Sequence, residues 1–196
     1  ADVTDDAAVA RAFETAAARH GPIAILVNNA GAATSAPFLK TPRSDWDWML
    51  AVNLTSAFVC SQLALPGMLA AGWGRIVNVA SVAGLAGAPY IAPYVAAKHG
   101  MVGLTRALAA EVAKKNVTVN AVCPGYVDSE MTDRTVANIM QKTGLSDADA
   151  RAALAKDHAH GRLVTVDECA SAIAWLCTEG AASTNGVALP IAGGAV

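Results

Sequence analysis

Charge is scarce in this chain. Only 15% of its 196 residues are Asp, Glu, Lys or Arg, against 54% hydrophobic, and 14 basic side chains nearly cancel 16 acidic ones to leave a net charge of −2. Binding to a nucleic-acid backbone calls for a clustered basic surface. None is present, and nucleic acid is excluded as a partner. A mean hydropathy of +0.38 also excludes a disordered chain, which owes its disorder to having too little apolar surface to offset the entropy of ordering. Long apolar runs are missing as well: charged or strongly polar residues break each one short of the ~20 residues that span a bilayer, so no membrane segment is expected. The four cysteines, Cys60, Cys123, Cys169 and Cys177, form no CxxC pair and read as reduced core residues. No secretory signal opens the sequence. The expectation is a cytoplasmic globular protein, and with no linker in view its length makes one domain.

The apolar residues that are present follow two periods. Short continuous runs ending in small residues, at 23–28, 75–81, 117–123 and 187–192, read as buried parallel strands. Longer stretches carry helical spacing: 5–20, with Val9, Ala12, Phe13 and Ala16 on one face, Thr4 as N-cap and Gly21-Pro22 as the stop, then 44–54, 55–71, 94–114 and 166–178. Strands alternating with helices give an α/β fold, a doubly wound parallel sheet with helices on both faces. Two segments fall outside the pattern. Residues 82–93 contain no charge at all. Residues 128–165 hold helical patches at 135–142 and 147–156 around a break at Gly144; a connection of that length, where ~2–6 residues would serve, reads as a substrate lid.

Ligands of such sheets bind beyond the carboxyl ends of the strands. There the chain places Asn28-Asn29-Ala30-Gly31, Ala80-Ser81 and Pro124-Gly125-Tyr126, small and hydroxyl residues that let a ligand approach the backbone. Any one of these is equally compatible with ordinary turn chemistry. Tyr94-x-x-x-Lys98 at a helix start is more telling, because residues i and i+4 share a face. An ammonium beside a phenol favours the phenolate and suits Tyr to general acid/base work. The same spacing recurs by chance on exposed helix faces, but here Ser81 lies at a strand end only a short loop upstream.

Taken together, Asp2-Val3, Asn28-Asn29-Ala30-Gly31, Val52-Asn53-Leu54, Asn78-Val79-Ala80-Ser81, Tyr94 to Lys98, and Pro124 to Ser129 resemble the short-chain dehydrogenase/reductases in content and order, along essentially the whole chain. The resemblance implies a Rossmann-like fold and an NAD(P)-dependent oxidoreductase interconverting a secondary alcohol and a ketone. It implies catalytic roles for four residues. Tyr94 would exchange the proton with the substrate oxygen, Ser81 would polarise that oxygen, Lys98 would lower the Tyr94 pKa and bind the nicotinamide ribose, and Asn53 would hold a relay water behind Lys98. For the cofactor it implies Asp2 and Val3 at the adenine, Asn28, Ala30 and Gly31 at the adenosine ribose, and Pro124, Gly125, Val127 and Ser129 at the nicotinamide. Ser129 stands where Thr is usual. Ala192 departs from a common Asp-Gly-Gly ending.

The pattern's first strands and its Gly-rich, pyrophosphate-holding turn have no counterpart. Gly72-Trp73-Gly74 precedes a strand, and Gly84-x-x-Gly87 runs into the charge-free loop. Roughly the first fifty to sixty residues of the pattern are missing, and with them the residue that selects NAD or NADP. An exposed edge on strand 23–28 would invite aggregation, so a longer natural chain is expected, and residues 1–196 alone are not expected to hold a dinucleotide well.

Other features read as structural. His99 points away from Lys98. His158 and His160, two apart, would fall on different faces of a helix and read as a lid hinge; no metal is expected. Trp46 and Trp48 are expected to pack the helix leading to Asn53, and Asp5 and Asp6 to supply first-turn charge. With Leu85, Tyr90 and Ile91 in an uncharged loop, a 3-oxoacyl thioester on CoA or an acyl carrier is the preferred substrate. A small hydroxy acid such as 3-hydroxybutyrate, held by Arg134, Lys142 or Arg151 of the lid, or a cyclic or steroid-like alcohol, are the alternatives, and a catalytically inactive binding protein is the rival of another class. A homotetramer is expected through 55–71 and 94–114, whose Phe58, Leu65, Met101 and Leu108 exceed one sheet contact, and through 187–196.

Overall fold

The computed structural model describes residues 1–195; Val196, the end of the segment expected at a subunit interface, lies outside them. Four parallel strands, β1 (Ile25–Asn28), β2 (Gly74–Val79), β3 (Val117–Pro124) and β4 (Ala188–Ile191), lie in the order β1-β2-β3-β4. Helix α1 (Asp6–His20) precedes β1. Helices α2 (Arg43–Leu50) and α3 (Ser56–Ala71) lead to β2, and α4 (Ala92–Val112) leads to β3. Helices α5 (Glu130–Thr143), α6 (Asp147–Ala155) and α7 (Val166–Leu176) fill the connection to β4. The fold is the Rossmann-like one expected.

Side chains alternate across a strand, and the core divides accordingly. Ile76 and Val119 meet Ala64 and Met68 of α3 and Ala109 and Val112 of α4 on one face. Val77 and Val122 meet Leu176 of α7 and Ala181 on the other. Every residue of β3 is buried, which explains its unbroken apolar run. At the edge of the sheet, Ile25 and Val27 of β1 are exposed.

The N-cap of α1 is Asp5 and not Thr4: its carboxylate accepts the Ala8 N–H at 3.0 Å, while Thr4 bonds Asp2. Either side chain can cap, and the carboxylate nearer the helix wins. Helices α2 and α3 join through a π-helical turn, Ala51–Thr55, into one helix of 29 residues, Arg43–Ala71, whose most apolar 18-residue stretch has a mean hydropathy of 1.4. This corrects the expectation that no run is long and apolar enough to cross a membrane. Ser56 and Ser61 return their hydroxyls to carbonyls one turn back and so do not interrupt the helix, which buries Ala57, Cys60, Ala64 and Met68 inside the protein. Trp46 and Trp48 do not pack the approach to Asn53. They are 37% and 45% exposed, and the inward stripe at helical spacing is Met49, Val52 and Asn53. Met101 is likewise a core residue, packed with Ala57 and Ala80, and offers no outward face.

A buried amide ladder crosses the apolar layers. Asn28 Nδ2 donates to Asn78 Oδ1, Asn78 Nδ2 donates to Thr105 Oγ1, and Thr105 donates to the Met101 carbonyl, each at 2.8 Å. It fixes the ends of β1 and β2 against α4, beside the loops that carry the site. Asn78→Ala should lower stability by about 2–3 kcal/mol, because it strands buried partners on both sides. Denaturant midpoints at an unchanged m-value would measure this, and a loss below ~0.5 kcal/mol would show that the ladder holds nothing.

Candidate functional site

Two residues beyond β2, Ser81 caps a short 3-10 turn (Val82–Gly84) by accepting the Ala83 N–H at 3.1 Å. The chain then turns through the uncharged loop into α4, whose first two turns carry Tyr94 and Lys98. The Tyr94 hydroxyl lies near enough to Ser81 for that side chain to pull its pKa down. The Lys98 ammonium sits 5.5 Å from the Tyr94 ring centroid and donates to the Val79 carbonyl at 2.8 Å. Ser81, Tyr94 and Lys98 therefore converge at the carboxyl end of β2. Asn53 lies in the π-helical turn and is fully buried. Its Nδ2 donates to the carbonyls of Ala32 (2.9 Å) and Met49 (3.1 Å), and its Oδ1 accepts the Ala32 N–H (3.2 Å). Gly31 is wedged between Asn53 and Lys98: a Cβ there would fall 2.8 Å from Asn53 Oδ1 and 3.6 Å from Lys98 Nζ. A π turn inside an α-helix is a common companion of functional sites, and nothing in the apolar period of this helix announces it.

The electrostatics differ from the sequence-based expectation in one respect. The Tyr94 pKa is raised, chiefly by burial, with the Ser81 hydrogen bond pulling it down and Tyr126 pushing it up. Burial lowers Lys98 to about 8. The expected lowering of Tyr94 by Lys98 does not prevail: desolvation acts on both groups, and the ammonium spends a donor on Val79. The Cys123 thiol, buried nearby, is pushed up to about 11 and stays protonated.

The remaining expected residues fall into two groups. Val3, Asn28 and Ala30 line a groove with Ser56 and Cys60 beside β1. The Asn28 side chain, however, turns inward to Asn78, leaving only its backbone to that groove. The Asp2 carboxylate is held locally by the Thr4 N–H (2.9 Å) and hydroxyl (2.7 Å), which lower its pKa. Pro124 ends β3, paired with Ile191, and the Gly125 N–H donates to Ile191 O at 3.0 Å. Val127 bridges to Val164, and the Ser129 hydroxyl donates to Val127 O at 3.3 Å. His158, read from sequence as a hinge, is buried against Gly125 and Tyr126; a buried imidazole between two turns has no signature in periodicity. His99 is exposed, its Nδ1 3.0 Å from Val95 O.

A hydroxyl, a phenol and a buried ammonium gather at strand ends of an open parallel sheet, a grouping able to polarise a carbonyl oxygen and exchange its proton. The comparisons show the family. A family model described as "Enoyl-(Acyl carrier protein) reductase" matches residues 1–196. The chain is 40% identical over 195 residues to a D-beta-hydroxybutyrate dehydrogenase of Cupriavidus necator, covering 99% of this chain and 76% of that protein. It is 37% identical over 193 residues to the 3-oxoacyl-(acyl-carrier-protein) reductase of Pseudomonas aeruginosa, covering 98% and 74%. A crystal structure of actinorhodin polyketide ketoreductase with NADPH superimposes with a TM-score of 0.95 at 36% identity, covering 99% of this chain and 75% of that one. The chain belongs to the short-chain dehydrogenase/reductases. It is an NAD(P)-dependent oxidoreductase of secondary alcohols and ketones.

The residues fit a nicotinamide dinucleotide at its nicotinamide end. Lys98 is 3% exposed and spends one of its three N–H donors on Val79, leaving two for a ribose diol. Gly31, lacking a Cβ, adds no side chain of its own beside them.

Burying Lys98 has a cost that can be measured. A folded pKa near 8 against 10.5 unfolded means that below pH 8 the ammonium destabilises the fold, by up to about 3 kcal/mol. Between pH 8 and 10.5 the unfolded chain holds a proton that the folded one has released, so stability rises with pH. Lys98→Met should be more stable than the parent at pH 7 and should lack this rise. Denaturation at pH 7 and pH 10 decides, and a destabilised Lys98→Met at pH 7 would show that the Val79 bond outweighs desolvation.

Proposed function

We propose that the chain reduces a 3-oxoacyl thioester, carried on CoA or an acyl-carrier protein, to the 3-hydroxyacyl product, or runs the reverse oxidation. The observation that carries the chemistry is the convergence of Ser81, Tyr94 and Lys98. Ser81 hydrogen-bonds the substrate oxygen, and Tyr94 supplies or removes its proton. Lys98 binds the ribose hydroxyls and connects Tyr94 to a water held by Asn53. A nicotinamide dinucleotide held by these residues would supply or accept the hydride. Asp2, Val3, Asn28, Ala30 and Gly31 take the adenosine side, and Pro124, Gly125, Val127 and Ser129 take the carboxamide side. Residues 1–196 act as one Rossmann-like domain with a substrate lid at about 128–165, in a cytoplasmic homotetramer.

The substrate class is supported by the electrostatics of the pocket wall. Residues 82–93 carry no charge. In the lid, Arg151 is committed to three carboxylates, Asp128 at 3.2 Å, Asp147 at 2.9 Å and Asp133. Arg134 and Lys142 are exposed on α5. A free carboxylate substrate would have to compete for Arg151. A second reading, a small hydroxy-acid dehydrogenase, is favoured by the relative from Cupriavidus necator.

The test compares a short 3-oxoacyl thioester, the corresponding free 3-oxo acid and a cyclic ketone, each with NADH and NADPH, on the full-length protein. The thioester should show the highest kcat/KM; a free acid that outperforms it would shift the reading to hydroxy acids, and no turnover of any of them would favour the binding-protein alternative. Tyr94→Phe, which keeps the ring, should lower kcat by ~10²–10⁴-fold with the fold intact. Near-parental turnover in that variant would remove Tyr94 from the mechanism.

A further inference from the structure

Beyond Gly125, whose N–H donates to Ile191 O of β4, the turn after β3 is held by the stretch of chain between α6 and α7. Tyr126 O accepts the Val164 N–H at 2.9 Å, and the Asp128 N–H donates to Val164 O at 2.8 Å. The Tyr126 N–H has no backbone partner there. It donates to Nε2 of His158 at 3.0 Å, and His158 is only 2% exposed. The other ring nitrogen, Nδ1, lies 2.6 Å from the Arg162 carbonyl. A carbonyl only accepts, so the proton sits on Nδ1 and the lone pair of Nε2 faces the Tyr126 amide.

The space the ring fills is set by glycine. A Cβ on Gly125 would lie 2.2 Å from His158 Nε2, so any other residue there would evict the imidazole. His160 meets His158 edge to face, with centroids 5.5 Å apart at 84°, and occupies the matching space before Gly193, where a Cβ would fall 2.2 Å from its ring. Residues 157–162 form turns and not a helix, which is how two histidines at i and i+2 face the same way. The segment is clamped downstream: the Arg162 guanidinium takes both oxygens of Glu168 at 2.7 and 2.9 Å, and Glu168 with Thr165 closes a capping box on α7. Arg162 therefore meets His158 through its carbonyl and not its charge.

We infer that His158 is a positioning residue for the dinucleotide: by accepting the Tyr126 N–H it fixes the backbone of Tyr126 and Val127, the turn that receives the carboxamide. It also ties the exit of the lid to that turn, so the lid's end and the cofactor's seat move as one. The inference rests on the oxidoreductase reading above.

Two substitutions separate this role from plain packing. His158→Leu keeps apolar bulk without an acceptor, whereas His158→Gln can return a carbonyl oxygen to the Tyr126 N–H. On the full-length protein, His158→Leu should raise the dinucleotide Kd and KM about tenfold with a smaller change in kcat, and His158→Gln should recover most of the loss. In cofactor-free protein, hydrogen exchange at the Tyr126 amide should lose protection in His158→Leu and keep it in His158→Gln. A Kd in His158→Leu within about twofold of the parent, or equal weakening in both variants, would overturn the inference. Should His158→Leu fail to fold, a His158→Gln protein that exposes the Tyr126 amide yet binds the dinucleotide like the parent overturns it equally. The Kd and the exchange need no turnover, so they decide the role of His158 even if every ketone tested proves inert and the substrate reading falls.

Discussion

A lysine ammonium taken out of water costs several kcal/mol unless its surroundings compensate, and Lys98 is 3% exposed with a single hydrogen-bond partner among the described residues, the Val79 carbonyl. Much of the site follows from accommodating that one group. The carbonyl must be at the end of β2, where the ladder has finished and the oxygen is free to turn. The helix carrying Lys98 must start close to that strand end, so the loop before it has to be small where it meets the helix. Gly84 illustrates the fit: a Cβ there would lie 2.7 Å from the backbone carbonyl of Lys98. Gly31 fits on the opposite side, between Asn53 and the ammonium. Packing this close leaves Lys98 titrating near 8, a group stressed for function instead of settled for stability.

The scaffold that tolerates this stress is held by amides as well as by apolar contacts. Hydrophobic burial distinguishes one register from the next only weakly along this sheet, since β2 and β3 are buried on both faces and β1 is apolar on its exposed face too. The Asn28–Asn78–Thr105 ladder does: Asn28 and Asn78 are paired in register between β1 and β2, and a slip of one residue would strand both amides in the core. At the other end of β3, Asn120 Nδ2 donates to Thr184 O, and the Asn185 side chain accepts the Val119 N–H and donates to Ala109 O. Buried asparagines thus bracket the sheet and set the strand ends from which the site loops depart.

Much of this was legible in the sequence for a physical reason. Continuous apolar runs suit strands covered on both faces, as β2 and β3 are, and a Tyr and a Lys four apart on a helix must share a face, so the sheet, the helices and the Tyr94–Lys98 pair follow from periodicity, while Ser81 joined them through the family resemblance. Other features depend on tertiary context. The π turn that aims Asn53 adds no residue type that an α-helix would lack. Trp46 and Trp48 are apolar by composition, yet the inward stripe passes to Met49 and Val52. Asn28 could face a ligand or the core equally well, and only the presence of Asn78 on the next strand decides for the core. His158 was readable as a hinge because its neighbours are turn residues; that its ring fills the space left by Gly125 depends on a contact 33 positions away.

The balance of protons in the site bears on the direction of the chemistry. Burial raises the Tyr94 pKa and lowers that of Lys98 to about 8, so near neutral pH the phenol holds its proton. A protonated phenol against Ser81 is arranged to donate, which is what an oxygen becoming an alkoxide during ketone reduction requires. Oxidation needs the reverse, a phenolate, and a cation close by would favour it. The ammonium is charged below pH 8 but spends its hydrogen bond on Val79 rather than on the phenol. The loop between Ser81 and Tyr94 is uncharged and Arg151 is engaged by Asp128, Asp133 and Asp147, so neither that loop nor Arg151 offers a free positive charge to a substrate carboxylate. A neutral carbonyl accepting a proton from Tyr94 suits that environment better than an anionic alcohol giving one up.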